Sequence, residues 1–98
     1  MNVKSYHAEE AEKCYLRNGQ LCVNCGKSSN GLAHMIPQRK NELAWFGGWI
    51  IHSEFNMLPA CEKCNALIQI KTGDYLEHAC TVAESIRMRE EESNDKQY

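Results

Sequence analysis

Cys22-Val23-Asn24-Cys25 and Cys61-Glu62-Lys63-Cys64-Asn65 bracket two further stretches, Ala33-His34-Met35-Ile36-Pro37 and Asn56-Met57-Leu58. Two residues between paired cysteines let a tight turn aim both sulfurs at one point, and two such pairs supply the four thiolates of a tetrahedral zinc. Four sulfurs leave no open coordination position. A zinc held by Cys22, Cys25, Cys61 and Cys64 would therefore be structural, tying residue 22 to residue 64. The plainer alternative is four buried free thiols, or two unrelated knuckles. A redox protein is a third reading, and it predicts easily oxidised pairs without zinc.

In a chain of 98 residues such a cross-link matters, because a domain of this size buries only about two thirds of the surface its unfolded chain exposes. Six cysteines would also suit a disulfide-rich secreted protein. However, Met1-Asn2-Val3-Lys4-Ser5-Tyr6 runs into Glu9-Glu10-Ala11-Glu12-Lys13 without the apolar core of a signal peptide. No stretch approaches the ~20 apolar residues that span a bilayer. The expectation is a cytoplasmic protein without a membrane partner, in which paired cysteines bind metal. A net charge of -2 argues against a broad basic surface that coats nucleic acid. The acidity lies toward the ends, at Glu9, Glu10, Glu12, Glu90, Glu91, Glu92 and Asp95, while Lys27, Arg39, Lys40, Lys63 and Lys71 surround the motifs.

Around the cysteine pairs the chain reads as one α+β domain over residues 1–98. Its motif core covers about 21–70, with helical extensions over 5–18 and 74–92. Tyr6 to Arg17 suits a helix with Ser5 as N-cap and Asn18-Gly19 as its stop. Leu21 to Gly26 predicts a short strand turning into a knuckle, with Gly26 at positive φ. Leu32 to Ile36 predicts a strand ended by Pro37. Asn41 to Phe46 predicts one or two helical turns, Gly47-Gly48 a hinge, and Trp49-Ile50-Ile51 an apolar anchor. Glu54 to Leu58 returns as the second strand. Cys61 to Lys71 predicts a helix packed on the hairpin through Leu67, Ile68 and Ile70. Asp74 would cap a last helix with Leu76, Ala79, Cys80, Ala83, Ile86 and Met88 on its apolar side.

Cys14 and Cys80 read as small core residues, and His7 and His78 as surface or second-layer groups. Trp45, Phe46 and Trp49 could stack on bases, but beside Ile50 and Ile51 they read first as a small core. The plain reading of His34 is a core histidine, that of Asn56 a turn former and that of Asn65 a helix-start residue bonded to backbone. For Gln69 it is an exposed helix residue.

A zinc knuckle, a β-hairpin and a helix entered through the second cysteine pair describe a treble-clef-like ββα arrangement. Over roughly residues 21 to 70 the sequence resembles the HNH endonucleases. Their ββα-metal motif has a histidine before an apolar pair and proline, an asparagine before an apolar pair, and a final histidine or asparagine on the helix. The matching residues are His34, Asn56 and Asn65. The resemblance implies hydrolysis of DNA phosphodiester bonds, with His34 as general base and a divalent ion such as Mg²⁺ as Lewis acid. Asn65 would offer the ion a carbonyl oxygen, and Asn56 would hold the loop that positions His34. Cleavage would leave 5′-phosphate and 3′-hydroxyl ends, and a homodimer or a larger phage or bacterial complex would supply specificity.

Imidazole accepts a proton near neutral pH, which suits the base role. Many family members carry an acidic or histidine ligand just before the catalytic histidine, where this chain has Ala33. Without a carboxylate the site would bind a hard ion weakly. Gln69, four residues after Asn65, is a further candidate ligand from the same helix face, and His52 or Glu54 could approach from the other side. The alternative from another class is a non-catalytic, zinc-stabilised module, with a degenerate HNH site, that binds nucleic acid or protein.

Overall fold

A computed structural model describes residues 3–29 and 31–95. Helix α1 spans Val3–Asn18, strand β1 Leu32–His34, helix α2 Lys40–Phe46, one-turn helix α3 Gly48–Ile51, strand β2 Met57–Pro59 and helix α4 Tyr75–Asp95. Three short 3-10 turns, Glu54–Asn56, Asn65–Ile68 and Thr72–Asp74, connect them. The result is a small α+β fold around one two-stranded antiparallel sheet, with a cluster of four cysteines at its side. Among the described residues no helix is long and apolar enough to cross a membrane.

The hairpin pairs Leu32 with Pro59, Ala33 with Leu58 and His34 with Met57. Its ladder continues past both ends, with Met35 N–H donating to Asn56 O at 2.8 Å and Ala60 N–H to Gly31 O at 3.1 Å. Gly31 permits this close approach, since a Cβ there would lie 2.9 Å from the Ala60 carbonyl oxygen. Adjacent side chains on β1 take opposite faces. Ala33 is therefore buried against Cys22, Ala60 and Cys64, while His34 faces a cleft on the other side.

A larger core lies under the helices. Ile36, Ile50, Ile51, Tyr75, Ala79 and Val82 form its centre, and Leu43, Phe46, Phe55, Ile70, Ala83 and Ile86 pack around them. Helix α1 is fixed to the hairpin differently. Cys14 is fully buried and its thiol donates to Met57 O at 3.3 Å, while Glu10 accepts from Glu54 N–H at 2.9 Å.

Several local expectations change. Ser5 lies inside α1 instead of capping it, because the helix already runs from Val3. Its other end agrees: Gly19 takes φ 81° and donates its N–H to Tyr15 O at 2.7 Å. Gly26 also has positive φ, 78°. The strand expected at Leu21 shrinks to a single bridge with Ser28. The second strand starts only at Met57, as Glu54–Asn56 coils into a 3-10 turn capped by the Ser53 hydroxyl, which accepts from Phe55 N–H at 3.1 Å.

The helix expected over Cys61 to Lys71 is the 3-10 turn Asn65–Ile68, which stops where Ile70 N–H donates to Met35 O at 3.0 Å instead of to its own segment. Leu67 is left 69% exposed. On α4 the inward side is Tyr75, Ala79, Val82, Ala83 and Ile86. Leu76, Cys80 and Met88 face out. Of the expected aromatic core only Phe46 packs inward; Trp45 and Trp49 are 64% and 54% exposed.

Candidate metal centre and histidine cleft

The four sulfurs of Cys22, Cys25, Cys61 and Cys64 lie within 4.8 Å of one another. Zinc–sulfur bonds of ~2.3 Å in a tetrahedron imply sulfur separations of ~3.8 Å, and Cys25 and Cys61 are already 3.7 Å apart. This donor set fits one structural zinc. Two knuckles build it. In the first, Gly26 N–H donates to Cys22 O at 2.9 Å and Cys22 N–H to Lys27 O at 2.7 Å; in the second, Cys64 N–H donates to Cys61 O at 3.1 Å. Val23 N–H, donating to Pro59 O at 3.0 Å, joins the first knuckle to the end of β2.

Backbone N–H groups of Cys61, Cys25 and Asn24 point at the Cys22 sulfur and pull its thiol down to about 6. Asn24 also donates its side-chain N–H to Cys64 Sγ at 3.3 Å. That bond favours the Cys64 thiolate, but the neighbouring sulfurs and burial outweigh it and push Cys64 up to about 11. Four thiols this close cannot all ionise without a cation to share. Cysteine spacing alone does not single out Asn24. Its position between paired cysteines is the signal that it would face the sulfurs.

On the opposite face of β1 an open cleft of about 290 Å³ brings together His34, Asn65, Gln69, Gln38 and Arg39, floored by Leu32 and Pro37. A second cleft of about 190 Å³ shares His34 and Gln38 and is walled by His52. The His34 and His52 rings meet edge to face with centroids 5.5 Å apart. Asn65 donates its amide N–H to Leu32 O at 3.3 Å, which makes Oδ1 the atom available to a cation. Gln69 reaches the same cleft from extended backbone, not from a shared helix face. Glu54 does not approach His34; its carboxylate pairs with Arg89 at 2.7 Å and Arg17 at 3.4 Å. Among the described residues, no Asp or Glu lines either cleft.

The segment behind His34 is held by a fully buried asparagine. Asn56 Oδ1 accepts from Ile36 N–H at 2.9 Å, and Nδ2 donates to Ile36 O at 3.0 Å and Ile51 O at 2.9 Å. His78 Nε2 lies 3.1 Å from the same Oδ1. An amide oxygen only accepts, so Nε2 carries the proton, and both donors and both lone pairs of Asn56 are then used. His78 thus belongs to the layer behind the cleft, and burial lowers its imidazole from the ordinary range. Its spacing on α4 gave no hint of Asn56. His7 lies outside the residues whose side chains are described. Arg39 spans from the cleft to the helices, bonded to the Tyr75 hydroxyl at 3.3 Å and paired with Glu42 at 3.3 Å.

Compared with protein-family models, curated proteins and solved structures, this chain matches none.

Proposed function

We propose that this chain is a metal-dependent endonuclease of the HNH type, built on a zinc-stabilised, treble-clef-like ββα core, that hydrolyses DNA phosphodiester bonds. The observation that carries the reading is convergence. His34 and the distant segment that carries Asn65 and Gln69 line one open cleft with the cationic Arg39, and Asn56 clamps the segment that follows His34.

In this mechanism Arg39 attracts the phosphodiester, and His34 takes the proton of the attacking water as its oxygen bonds to phosphorus. The phosphorus–O3′ bond breaks, leaving a 5′-phosphate, and the departing oxygen is protonated to a 3′-hydroxyl. A divalent ion bound through the amide oxygens of Asn65 and Gln69 would supply a Lewis acid for the charge that develops there. An all-amide ligand set holds a hard ion weakly, and phosphate oxygens would complete it.

That none of the described residues lining the cleft is a carboxylate favours one rival, a zinc-stabilised binding module without catalysis. Nicking of supercoiled plasmid in Mg²⁺, Mn²⁺ or Ni²⁺ decides between them. Wild-type protein should nick, and His34→Ala should lose at least ~100-fold with zinc content unchanged. Equal rates in both proteins, or none, would favour the module.

A further inference from the structure

The insert between the strands is rooted on the clefts at both ends. Gln38 and Arg39 open it and His52 closes it. Between them it exposes Lys40, Trp45 and Trp49, and its single acidic residue, Glu42, is buried and paired with Arg39. Its outer surface is therefore cationic and aromatic, in a chain whose net charge is -2.

Trp49 has a built seat. Gly47 adopts φ 83° and ψ 156°, open essentially to glycine. A Cβ there would lie 2.9 Å from Trp49 Cδ1 and 3.1 Å from Nε1, so the indole lies directly against the glycine backbone. His52 N–H donates to Gly48 O at 2.9 Å, which carries the helical turn through residue 52. Residues 49 and 52, three apart, are then neighbours on one side of the turn, and His52 touches the His34 ring. Trp49 thus stands on the short turn that ends at His52, the residue that walls the second cleft.

We infer that Trp49 is a stacking platform for an unpaired base beside the bound phosphate, which makes single-stranded DNA the preferred substrate of the proposed nuclease. In a duplex the base faces are closed by stacking on each other, whereas a single strand presents them to an aromatic ring. Lys40 and Arg39 complement the strand's phosphates. The inference rests on the nuclease reading for its substrate, but binding alone tests it.

The experiment is fluorescence anisotropy of a labelled oligothymidylate and of a blunt hairpin duplex of equal length, with full-length zinc-loaded protein in buffer free of added divalent ions. The oligothymidylate should bind more tightly, and Trp49→Ala should weaken that binding at least ~5-fold, while Trp49→Phe retains most of it. In a Trp45→Phe chain, indole emission should change with the single strand and not with the duplex, a readout that does not need Trp49→Ala to fold. Equal affinity for both DNAs, no binding of either, or an unaltered Trp49→Ala protein would overturn the inference. So would a Trp49→Ala protein that loses self-association in sedimentation but keeps its DNA affinity, since the indole would then join copies of the chain. Single-strand binding without plasmid nicking would keep the platform and remove the nuclease. Nicking that Trp49→Ala leaves unchanged would do the reverse.

Discussion

Asn56 concentrates the most structure in one side chain. It joins backbone at residues 36 and 51 to His78 on α4; the three bonds to backbone are buried and the one to His78 is partly so. Asn56→Ala would leave the Ile36 N–H, the His78 Nε2–H and two carbonyls without this partner at about 1 to 3 kcal/mol each, less whatever relaxation recovers; urea unfolding should register a loss of roughly 3 kcal/mol. His78→Gln keeps an N–H donor and should stay close to wild type, whereas His78→Ala should not. The two histidine variants also differ from wild type in acid. Burial lowers His78 below its ordinary value of 6.5, so the unfolded chain binds the proton more readily. Its contribution is complete above about pH 6.5 and is lost as pH falls through the folded value. Nε2–H survives protonation at Nδ1, so the loss reflects burying charge and not breaking the bond to Asn56. His78→Gln should flatten that part of the stability profile, measured by urea titration between pH 7 and pH 5.

Among the elements, those fixed by short-range chemistry were legible in the sequence. Paired cysteines, the glycine at residue 26, the stop at Gly19 and the hairpin flanked by Pro37 and Pro59 each depend on a local constraint. Elements decided by a remote partner were not. The segment after Cys64 has the composition of an α-helix but surrenders it when Ile70 N–H bonds to Met35 O, a pairing with no trace in residues 61 to 71. The face of α4 turned because Tyr75 and Val82 fill the core in place of Leu76 and Cys80. Apolar count placed both indoles of the insert inside, yet the backbone of Gly47 holds Trp49 at the surface. Of the candidate site, His34, Asn65 and Gln69 could be named from their motif. His52 could be named only as one of two groups able to approach, its place beside His34 needing the path of the insert, and His78 behind Asn56 needed the packing of α4. Gly47→Ala tests the insert directly. It forces a Cβ into a glycine-only backbone conformation and into the indole, and should cost about 1 to 3 kcal/mol in thermal or urea unfolding.

At the scale of the whole molecule, two centres join distant parts of the chain. The sulfur cluster spans residues 22 to 64. Cys61→Ser should abolish stoichiometric zinc, measured by atomic emission, and chelator should then lower the wild-type melting temperature but leave the variant's nearly unchanged. The second centre is ionic: Arg89 donates to Glu10 at 3.2 Å and Glu54 at 2.7 Å, and both carboxylates are buried. Arg17 and Arg89 also lie over the Phe55 ring, at 4.4 and 5.6 Å from its centroid. Arg89→Ala would leave two buried acids with Lys13 and Arg17 as their cations among the described residues, and should cost about 3 kcal/mol. Burial alone would raise the Glu10 carboxyl, but the Glu54 N–H, Arg89 and Lys13 together hold it below its usual 4.5. Its contribution is therefore present above about pH 4.5 and lost as pH falls through the folded value. The order of synthesis gives this cation a further consequence. Residues 10 and 54 are synthesised well before residue 89, so a chain truncated after residue 88 carries both acids without the guanidinium that joins them. In such a chain α1 can still dock on the hairpin through Cys14 and the Glu54 N–H, but its two buried acids gain their shared cation only when α4 extends as far as Arg89.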